Sequence, residues 1–342
     1  MAFTLTDLPF IQAPMAGVST PQLAAAVSNA GALGSISLGA ASLSQARDLL
    51  LETQTLTARP VNINLFCHAP ARRNPQRESA WIDRLRPTFA RFGAAAPEHL
   101  TELYRTFINN APMLELLLAA RPAIVSFHFG LPDSAAIRAF KRAGITMLAC
   151  ATSVDEAKRI AAVGIDMVVA QGIEAGGHRG IFNPRAPDER LPTLALVRAI
   201  KAATQLPIIA AGGIMNGADI TEALKAGAVA AQLGTAFILC PESSADAGWR
   251  ERLRHSKAHA TALTCTISGR PARGIINSLY LRANKEEIAD YPLAYDAAKA
   301  LHRAAVAQGC HDYGAYWAGC GCHRSREMPA ARLVDLLANE LQ

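Results

Sequence analysis

Short apolar runs of strand length alternate along most of the chain with stretches in which Ala and Leu recur at helical spacing. This strand-then-helix alternation is typical of parallel α/β folds. We count eight such units, and their short connections favour a closed (β/α)8 TIM barrel over an open doubly wound sheet. The predicted strands cover residues 10–15, 33–37, 61–66, 123–127, 146–150, 166–170, 207–210 and 228–233.

Helix-start signals fall between these strands. Thr20 is a good capping residue and Pro21 suits the first helical position, so a helix is predicted to begin there. Further helices are predicted to begin near Asp133 and Ser153. Two more are expected late in the chain, over residues 290–308 and 329–341.

The predicted barrel occupies residues 1–68 and 122–240. Residues 69–121 form a helical insertion after the third strand, and residues 241–342 form a helical segment that covers the barrel mouth as a smaller subdomain. The insertion carries six Arg between Arg72 and Arg91. A solvated helix face explains them most simply, and steering of an anionic substrate is the alternative.

The composition argues against several classes of protein. With 51% hydrophobic and 18% charged residues, the 342-residue chain can bury a large core and is unlike a disordered protein. The net charge of +6 is spread without a compact basic run, which argues against nucleic-acid binding and allows a weak attraction for small anions. The start lacks a secretory signal, long apolar stretches are interrupted, and the seven Cys suit reduced thiols, so we expect a cytoplasmic protein that does not enter membranes.

Glycines follow the seventh and eighth predicted strands, where TIM barrels commonly bind phosphate. Gly212 and Gly213 follow the seventh strand, and the run Gln232, Leu233, Gly234 and Thr235 ends the eighth. Each glycine alone is compatible with an ordinary tight turn, but together they predict one phosphate cradle. A single cradle fits FMN better than NAD or FAD, because no G-x-G-x-x-G turn is present.

The densest chemical signal is the stretch 171–182, directly after the sixth predicted strand. Four glycines surround His178, giving a loop bare and flexible enough to lie against a planar ligand while holding an imidazole over it. A histidine titrates near neutrality, which suits proton transfer or hydrogen bonding to an anion. The Gly-rich setting at a barrel strand end therefore favours a functional role for His178 over that of an ordinary surface histidine.

The ordered set of motifs resembles the bacterial class I nitronate monooxygenases, formerly called 2-nitropropane dioxygenases. The similarity covers nearly the whole chain. It is carried by Gln12-Ala13-Pro14-Met15-Ala16-Gly17, Asn64-Leu65-Phe66, Ser126-Phe127-His128-Phe129-Gly130, the 171–180 loop, Gly212-Gly213, Gln232-Leu233-Gly234-Thr235 and Ser268-Gly269-Arg270-Pro271-Ala272-Arg273-Gly274.

The resemblance implies roles for individual residues. His178 matches the catalytic histidine over the flavin ring, Met15 and Ala16 would contact that ring by backbone, and the phosphate would lie near Gly213 and the 232–235 run. With the two neighbouring glycines, the predicted cofactor-binding set is Met15, Ala16, Asn64, Gln171, Gly176, Gly177, Gly212, Gly213, Gln232, Leu233, Gly234 and Thr235.

Four further residues are candidates for the substrate. His128 follows the fourth strand and either contacts substrate or is a core histidine bonded to backbone. Tyr291, Tyr295 and Lys299 are spaced four apart, which places all three on one face of a predicted helix. Their hydroxyls and ammonium group could bind an anion, and an amphipathic surface helix is the alternative.

The chain departs from the family pattern near its end. Residues 317–323 contain Cys320 and Cys322, where relatives usually have Gln after Ala-Gly, and Cys310 and His323 are close in sequence. This spacing is not a standard zinc pattern, so we predict no metal and free thiols, with a zinc site as the alternative. The family's role for this tail is therefore in doubt here.

The resemblance implies FMN-dependent oxidation of alkyl nitronates, above all propionate 3-nitronate. Dioxygen would yield a carbonyl compound with nitrite or nitrate by way of a flavin semiquinone. The sequence leaves open whether the protein is a monomer or a homodimer. Three alternatives stay open: an NAD(P)H-dependent flavin reductase of quinones or enoyl thioesters, a flavin-free phosphate-binding isomerase or aldolase, and a noncatalytic binding protein. The isomerase or aldolase would need a Lys or paired carboxylates at the strand ends, and such residues are scarce there.

Overall fold

The structure, a computed structural model, describes residues 5–281 and 283–341, so the predicted domain limits at 1 and 342 lie outside the described residues. No helix in this part of the chain is long and apolar enough to cross a membrane. The elements are β1 (Phe10–Gln12), α1 (Pro21–Asn29), β2 (Gly34–Ser37), α2 (Leu43–Leu56), β3 (Val61–Phe66), α3 (Pro75–Arg91), α4 (Ala111–Ala120), β4 (Ile124–His128), α5 (Ser134–Arg142), β5 (Thr146–Ala151), α6 (Val154–Ala162), β6 (Met167–Gln171), β7 (Gly177–His178), α7 (Thr193–Ala203), β8 (Ile208–Ala211), α8 (Gly217–Ala226), β9 (Ala230–Leu233), α9 (Ala247–Arg254), β10 (Thr261–Thr264), β11 (Ala272–Ile275), α10 (Leu293–Ala307) and α11 (Ala330–Asn339).

Eight parallel strands form the barrel, in the spatial order β1-β9-β8-β6-β5-β4-β3-β2. A parallel bridge between Ile11 and Leu33 joins β1 to β2 and closes the ring. The predicted (β/α)8 TIM barrel is therefore confirmed. Parallel strands require crossover helices on the outside, which explains why the strands are almost continuously apolar.

The barrel interior is filled by side chains and is not a pore. Its core is a separate cluster of eight buried residues, namely Ile11, Leu33, Ile124, Leu148, Val169, Ile209, Ala211 and Ala230. Alternate residues of the same strands, such as Phe10, Val125 and Ala149, belong to a larger core shared with the surrounding helices. The period-2 alternation of a strand thus supplies both cores.

Helix starts follow the predicted caps. The hydroxyl of Thr20 accepts the amide of Leu23 at 3.0 Å with Pro21 at the first helical position, and Asp133 and Ser153 cap α5 and α6 in the same way. Strand limits are less accurate. The first strand ends at Gln12 and not at residue 15, since Pro14 has no N–H to donate. The eighth barrel strand begins at Ala230 and not at residue 228.

The insertion between β3 and β4 contains α3 and α4, and α3 packs against α10. Several of its arginines pair with carboxylates. Arg73 contacts Glu78 at 2.8 Å and Arg77 contacts Asp290 at 2.9 Å. These pairs reduce the free positive charge that a steering role would need.

The C-terminal segment was expected to be helical, and that expectation is wrong in part. It contains β10 and β11, which form a three-stranded antiparallel sheet with β7. In this sheet His178 is paired with Ala272, so the 171–182 stretch is held by backbone pairing and is not simply a flexible loop. The long-range pairing of a two-residue strand has no local sequence signature, which is why the pattern of apolar residues did not predict it.

Candidate active site

A deep cleft opens at the carboxyl ends of the barrel strands. It encloses about 1350 Å³ including its open mouth. Asn64, Gln171 and Gln232 line it from the ends of β3, β6 and β9. This is the end of a TIM barrel where catalytic residues are found.

Nearly all of the predicted site residues line this cleft. They are Met15, Ala16, Asn64, His128, Gln171, Gly176, Gly177, His178, Gly212, Gly213, Gln232, Gly234, Thr235, Tyr291 and Tyr295. Leu233 does not, because its side chain is buried in the core between strands and helices. Lys299 does not line the cleft itself. Its Nζ lies 5.0 Å from the ring centroids of both Tyr104 and Tyr295, which do line it.

His178 is hydrogen-bonded to Ser268 and surrounded by aromatic rings. Its Nε2 lies 2.9 Å from the hydroxyl of Ser268, while Nδ1 has no hydrogen-bond partner among the described residues. Trp317 and Tyr291 lie 5.1 and 5.4 Å away between ring centroids. Burial, helped by the nearby Arg270 guanidinium, lowers the pKa of His178 well below its usual value. The imidazole is therefore neutral near pH 7.

His128 supports the backbone of His178. Its Nε2 lies 3.2 Å from the carbonyl oxygen of His178, and the Gln171 amide donates to the same oxygen at 3.0 Å. A carbonyl can only accept, so Nε2 of His128 carries the proton. Burial, then Arg270, lowers the pKa of His128 to about 4. The geometry shows the backbone-bonded arrangement, although the ring also reaches the cleft.

The turn that carries His178 is locked by Gln171 and Arg179. The Gln171 side-chain oxygen accepts the amide of Gly180 at 2.8 Å. Arg179 is 1% exposed, pairs with Asp188 at 2.9 Å and donates to the carbonyl of Gly172. A fully paired buried arginine of this kind fixes geometry, and nothing in the sequence pattern singled it out.

The predicted phosphate cradle is built from backbone. Gly212 and Gly213 have φ of 129° and 74°, a region that side chains disfavour. The Thr235 hydroxyl accepts the amide of Gly319 at 3.0 Å, which leaves its own proton free to donate to an anion. Arg324 donates to the carbonyl of Gly213 at 2.9 Å and adds positive charge nearby.

Glycine at position 176 allows a close chain crossing. A Cβ placed there would lie 2.5 Å from the backbone nitrogen of Gly319, so even Ala would not fit without movement. At Gly177 the situation is the opposite, since an added Cβ would meet nothing within 4 Å. Gly177 therefore presents bare backbone to open space at the cleft.

The backbone of Met15 and the side chain of Asn64 already form hydrogen bonds within the protein. The amide of Met15 donates to Ser19 at 2.9 Å and its carbonyl accepts from Val18 and Ser19. The amide of Asn64 donates to Ser126 at 3.0 Å. A ligand touching Met15 would thus meet it mainly through van der Waals contact.

The helical placement of Tyr291 was wrong. The helix begins at Leu293, so only Tyr295 and Lys299 share its face, and Tyr291 lies before it. Pro292 has no N–H for a preceding helical turn, which explains this boundary. Tyr291 and Tyr295 nevertheless both line the cleft. Burial raises the pKa of Tyr295 to about 12 and raises that of Tyr291, so both hydroxyls are neutral.

Several residues of the cleft escaped the sequence analysis as site residues. They are Tyr104, Phe129, Trp317 and Gly319, together with Ser268, which lies beneath the cleft and is hydrogen-bonded to His178. Trp317 donates from its ring nitrogen to the hydroxyl of Tyr295 at 3.2 Å, and the amide of Cys320 donates to Glu174. The tail therefore docks beside the cleft. The signal in the sequence is the Trp-Ala-Gly run at residues 317–319, which is followed by the Cys residues that depart from the family pattern.

The cysteines are free thiols in this structure, and Cys322 is buried while Cys320 is exposed. Among residues 5–281 and 283–341, no group of three or more His, Cys, Asp or Glu side chains is placed to hold a metal ion.

Comparison with known proteins gives a consistent result. Residues 1–340 match the family profile described as nitronate monooxygenase. A nitronate monooxygenase of Pseudomonas aeruginosa is 52% identical over 98% of this chain and 96% of its own, and one of Paraburkholderia phytofirmans is 52% identical over 98% and 93%.

Solved structures agree. A nitroalkane oxidase from Streptomyces ansochromogenes superimposes with a TM-score of 0.91 at 37% identity, covering 98% of this chain and 96% of its own. FabK from Thermotoga maritima is more distant, with a TM-score of 0.74 at 25% identity, covering 98% and 93%.

Proposed function

The chain belongs to the nitronate monooxygenase family of flavoenzymes that oxidise nitronates, and we propose that its cofactor is FMN and its catalytic residue His178. The observation that carries the proposal is the setting of His178. Its neutral imidazole, supported by Ser268 and lacking any other described partner, lines the same cleft as the glycine cradle of Gly212, Gly213 and Gly234.

The residues present fit FMN. The cradle offers the bare backbone of its glycines and the free proton of Thr235, and the Arg324 guanidinium adds positive charge beside Gly213. A Cβ on Gly234 would meet only ordinary contacts, 3.5 Å from Ala13, which leaves the position open to a ligand. One cradle of this size supports a mononucleotide. When bound, FMN supplies the group that accepts electrons from the substrate.

The substrate we propose is an alkyl nitronate, with propionate 3-nitronate as the natural candidate. A nitronate oxygen can only accept a hydrogen bond, so the His178 nitrogen facing it, Nδ1, must carry the proton. Nε2 then accepts the Ser268 hydroxyl, which lies at 2.9 Å. The alternative acceptor of that hydroxyl is the carbonyl of Arg270 at 3.2 Å, so Ser268 can serve either tautomer of His178.

The second charge of propionate 3-nitronate requires a cation. Lys299 sits behind Tyr104 and Tyr295, and burial lowers its pKa, as expected for an ammonium group kept partly from water. The neutral hydroxyl of Tyr295, which lines the cleft, can donate to a carboxylate in front of it. Aromatic rings around the cleft exclude water and strengthen these interactions.

The products we propose are a carbonyl compound and nitrite or nitrate, with dioxygen as the co-substrate. Residues of this chain contribute by binding the anion, orienting it through His178 and excluding water. The protein takes a small anionic substrate and is proposed to act in the cytoplasm as a detoxification enzyme without a nucleic-acid partner.

The first test is spectroscopic. The purified protein should be yellow, and heat should release FMN and not FAD, as identified by chromatography and mass. Anaerobic propionate 3-nitronate should change the flavin spectrum, whereas NADH should not. Rapid bleaching by NADH without a response to nitronate would instead support a reductase of quinones or enoyl thioesters.

The second test addresses His178. His178→Asn keeps a hydrogen-bond donor of smaller reach, and we expect kcat/KM for propionate 3-nitronate to fall by roughly 10²–10³. His323→Asn, in the tail, is the matched control and should retain full turnover. Unchanged turnover in His178→Asn with full flavin content would show that the assignment of the catalytic residue is wrong.

A further inference from the structure

A second cavity shares Tyr291 with the cleft, and all of its other lining residues differ from those of the cleft. We call it the outer cavity. It encloses about 1640 Å³ including its open mouth. Its lining comes from the insertion, the 182–185 stretch and the C-terminal segment, and consists of Ala69, Pro70, Arg72, Arg77, Phe182, Asn183, Pro184, Arg185, Gly269, Arg270, Lys285, Glu286, Ile288, Asp290 and Tyr291.

The outer cavity is strongly basic. Five of its side chains are cationic and only two are carboxylates. One of these carboxylates, Asp290, is already paired with Arg77 at 2.9 Å and also accepts the amide of Arg72. Cations at the rim raise the local concentration of small anions.

Arg270 lines this cavity and is 3% exposed. Its guanidinium carbon stacks 4.2 Å from the ring centroid of Phe129, and one terminal nitrogen donates to the carbonyl of Ile181. Nε is buried without a hydrogen-bond partner, and no described carboxylate lies within ion-pair distance. Burial lowers the pKa of Arg270 only to about 10, so it stays charged at neutral pH.

An unpaired buried charge is costly, and proteins normally compensate it. Glu156 lies in the same region, but its two carboxylate oxygens accept the amides of Phe182 and Thr152. Arg179 shows the usual solution in the same molecule, since it is equally buried and is paired with Asp188. No described carboxylate pairs with Arg270 in this way.

The hydroxyl of Tyr291 is a second donor without a partner beside Arg270. It is buried and has no partner, and its ring contacts the Arg270 guanidinium at 5.9 Å. A second unused donor thus lies at the wall shared by the two cavities. Two unsatisfied donors at one place are unusual in a folded protein and indicate a ligand.

We propose that the outer cavity binds a small planar oxyanion of the nitrate, nitrite or carboxylate class through the Arg270 guanidinium. A guanidinium presents parallel N–H groups that match such an anion in its plane. This inference goes beyond the proposed function and does not depend on it. If that function is correct, a ligand of this class is also produced in the neighbouring cleft.

The test is calorimetric titration of the flavin-loaded protein with sodium nitrate, sodium nitrite and sodium acetate at fixed ionic strength. We expect saturable binding of at least one of these probes to the wild type. The order of affinities distinguishes an inorganic product anion from a carboxylate ligand. Arg270→Met should weaken binding at least about tenfold, the factor expected for lost hydrogen bonds to a charged group.

Thermal unfolding supplies a readout that does not involve activity. Without added anion, Arg270→Met removes an unpaired buried charge and should raise the melting temperature. The bound probe should raise the melting temperature of the wild type but not that of Arg270→Met. Equal stabilisation of both proteins by the probe, or no saturable binding to the wild type, would overturn the proposal.

Two controls keep the test decisive. His178→Asn should lose nitronate oxidation and keep anion binding, which separates failure of this proposal from failure of the proposed function. If Arg270→Met does not fold, the double variant Arg72→Gln, Lys285→Gln changes only the exposed rim. It should weaken binding about threefold through loss of local charge, and unchanged affinity would count against the outer cavity.

Discussion

The two sides of the cleft are built in different ways. The barrel side offers backbone and small residues, with Gly212, Gly213 and Gly234 at the ends of two strands. The covering side offers large rings, with Tyr104 from the insertion and Tyr295 and Trp317 from the C-terminal segment. His178 lies at the boundary, because its short strand pairs with β11 of the covering part.

This difference separates two tasks. Backbone amides and glycines can hold a phosphate without selecting among organic substrates, since every chain carries the same donors. Selection among nitronates must come from the side chains of the covering side, where hydroxyls, Lys299 and rings meet. We therefore expect changes on the barrel side to remove the cofactor, and changes on the covering side to alter KM or substrate preference.

The largest effect is expected at Gly176, where the chain passes close to the backbone of Gly319 in the C-terminal tail. In Gly176→Ala the new Cβ would lie 2.5 Å from the backbone nitrogen of Gly319, so the tail must move away from Thr235. Overpacking against backbone should cost about 3 kcal/mol or more and disturb the phosphate cradle. Flavin content after purification should fall at least tenfold, and chemical denaturation measures the loss of stability.

Gly144→Ala is the matched control. Gly144 has φ of 71° but open space around its Cβ position, so the substitution introduces only backbone strain of roughly 1 kcal/mol far from the cleft. It should keep its flavin. Equal flavin content in Gly176→Ala and Gly144→Ala would show that the close crossing is unimportant for the cofactor.

The two sides also differ in how far the sequence predicted them. The glycines at 212, 213 and 234 were predicted because they follow strands in a known order, and a TIM barrel places those strand ends together. Ser268, Phe129 and Trp317 were missed as site residues because their proximity to His178 depends on packing between distant segments. The antiparallel pairing of β7 with β11 was missed for the same reason. Local patterns thus predict positions along a strand, but not contacts between a barrel and its cover.

The second prediction concerns pH. Burial lowers the folded-state pKa of both His68 and His128 to about 4, whereas a free histidine titrates near 6.5. The unfolded chain therefore binds more protons between these values, and stability is lost as pH falls from about 6.5 towards 4. Each histidine should contribute on the order of 3 kcal/mol to this loss.

His128→Gln tests this contribution. Gln can still donate to the carbonyl of His178 but does not titrate, so the free energy of unfolding should depend less steeply on pH between 6.5 and 4 than in the wild type. Urea unfolding at several pH values measures the slope. A slope identical to that of the wild type would mean that His128 is not buried in its neutral form.

The third prediction addresses selectivity on the covering side. Lys299→Met removes the ammonium group behind Tyr104 and Tyr295 but keeps much of the side-chain volume. The KM for propionate 3-nitronate should rise about 10- to 100-fold, because the attraction of one cation for a nearby carboxylate is on the order of 1–4 kcal/mol. The KM for ethyl nitronate, which lacks the carboxylate, should change less than about twofold. An equal rise for both substrates would contradict a carboxylate role for Lys299.

The smallest effect is expected for a charged side chain of the covering side that lies outside the cleft. Arg86 on α3 is 61% exposed and pairs with Asp83 at 2.8 Å, three residues earlier on the same helix. Exposed pairs of this kind contribute roughly 0–1 kcal/mol and are screened by salt. Arg86→Gln should therefore change kcat/KM for propionate 3-nitronate by less than about twofold at low ionic strength. A larger loss that disappears in high salt would restore the steering interpretation of the insertion and make charge at a distance, as well as contact, a determinant of selectivity.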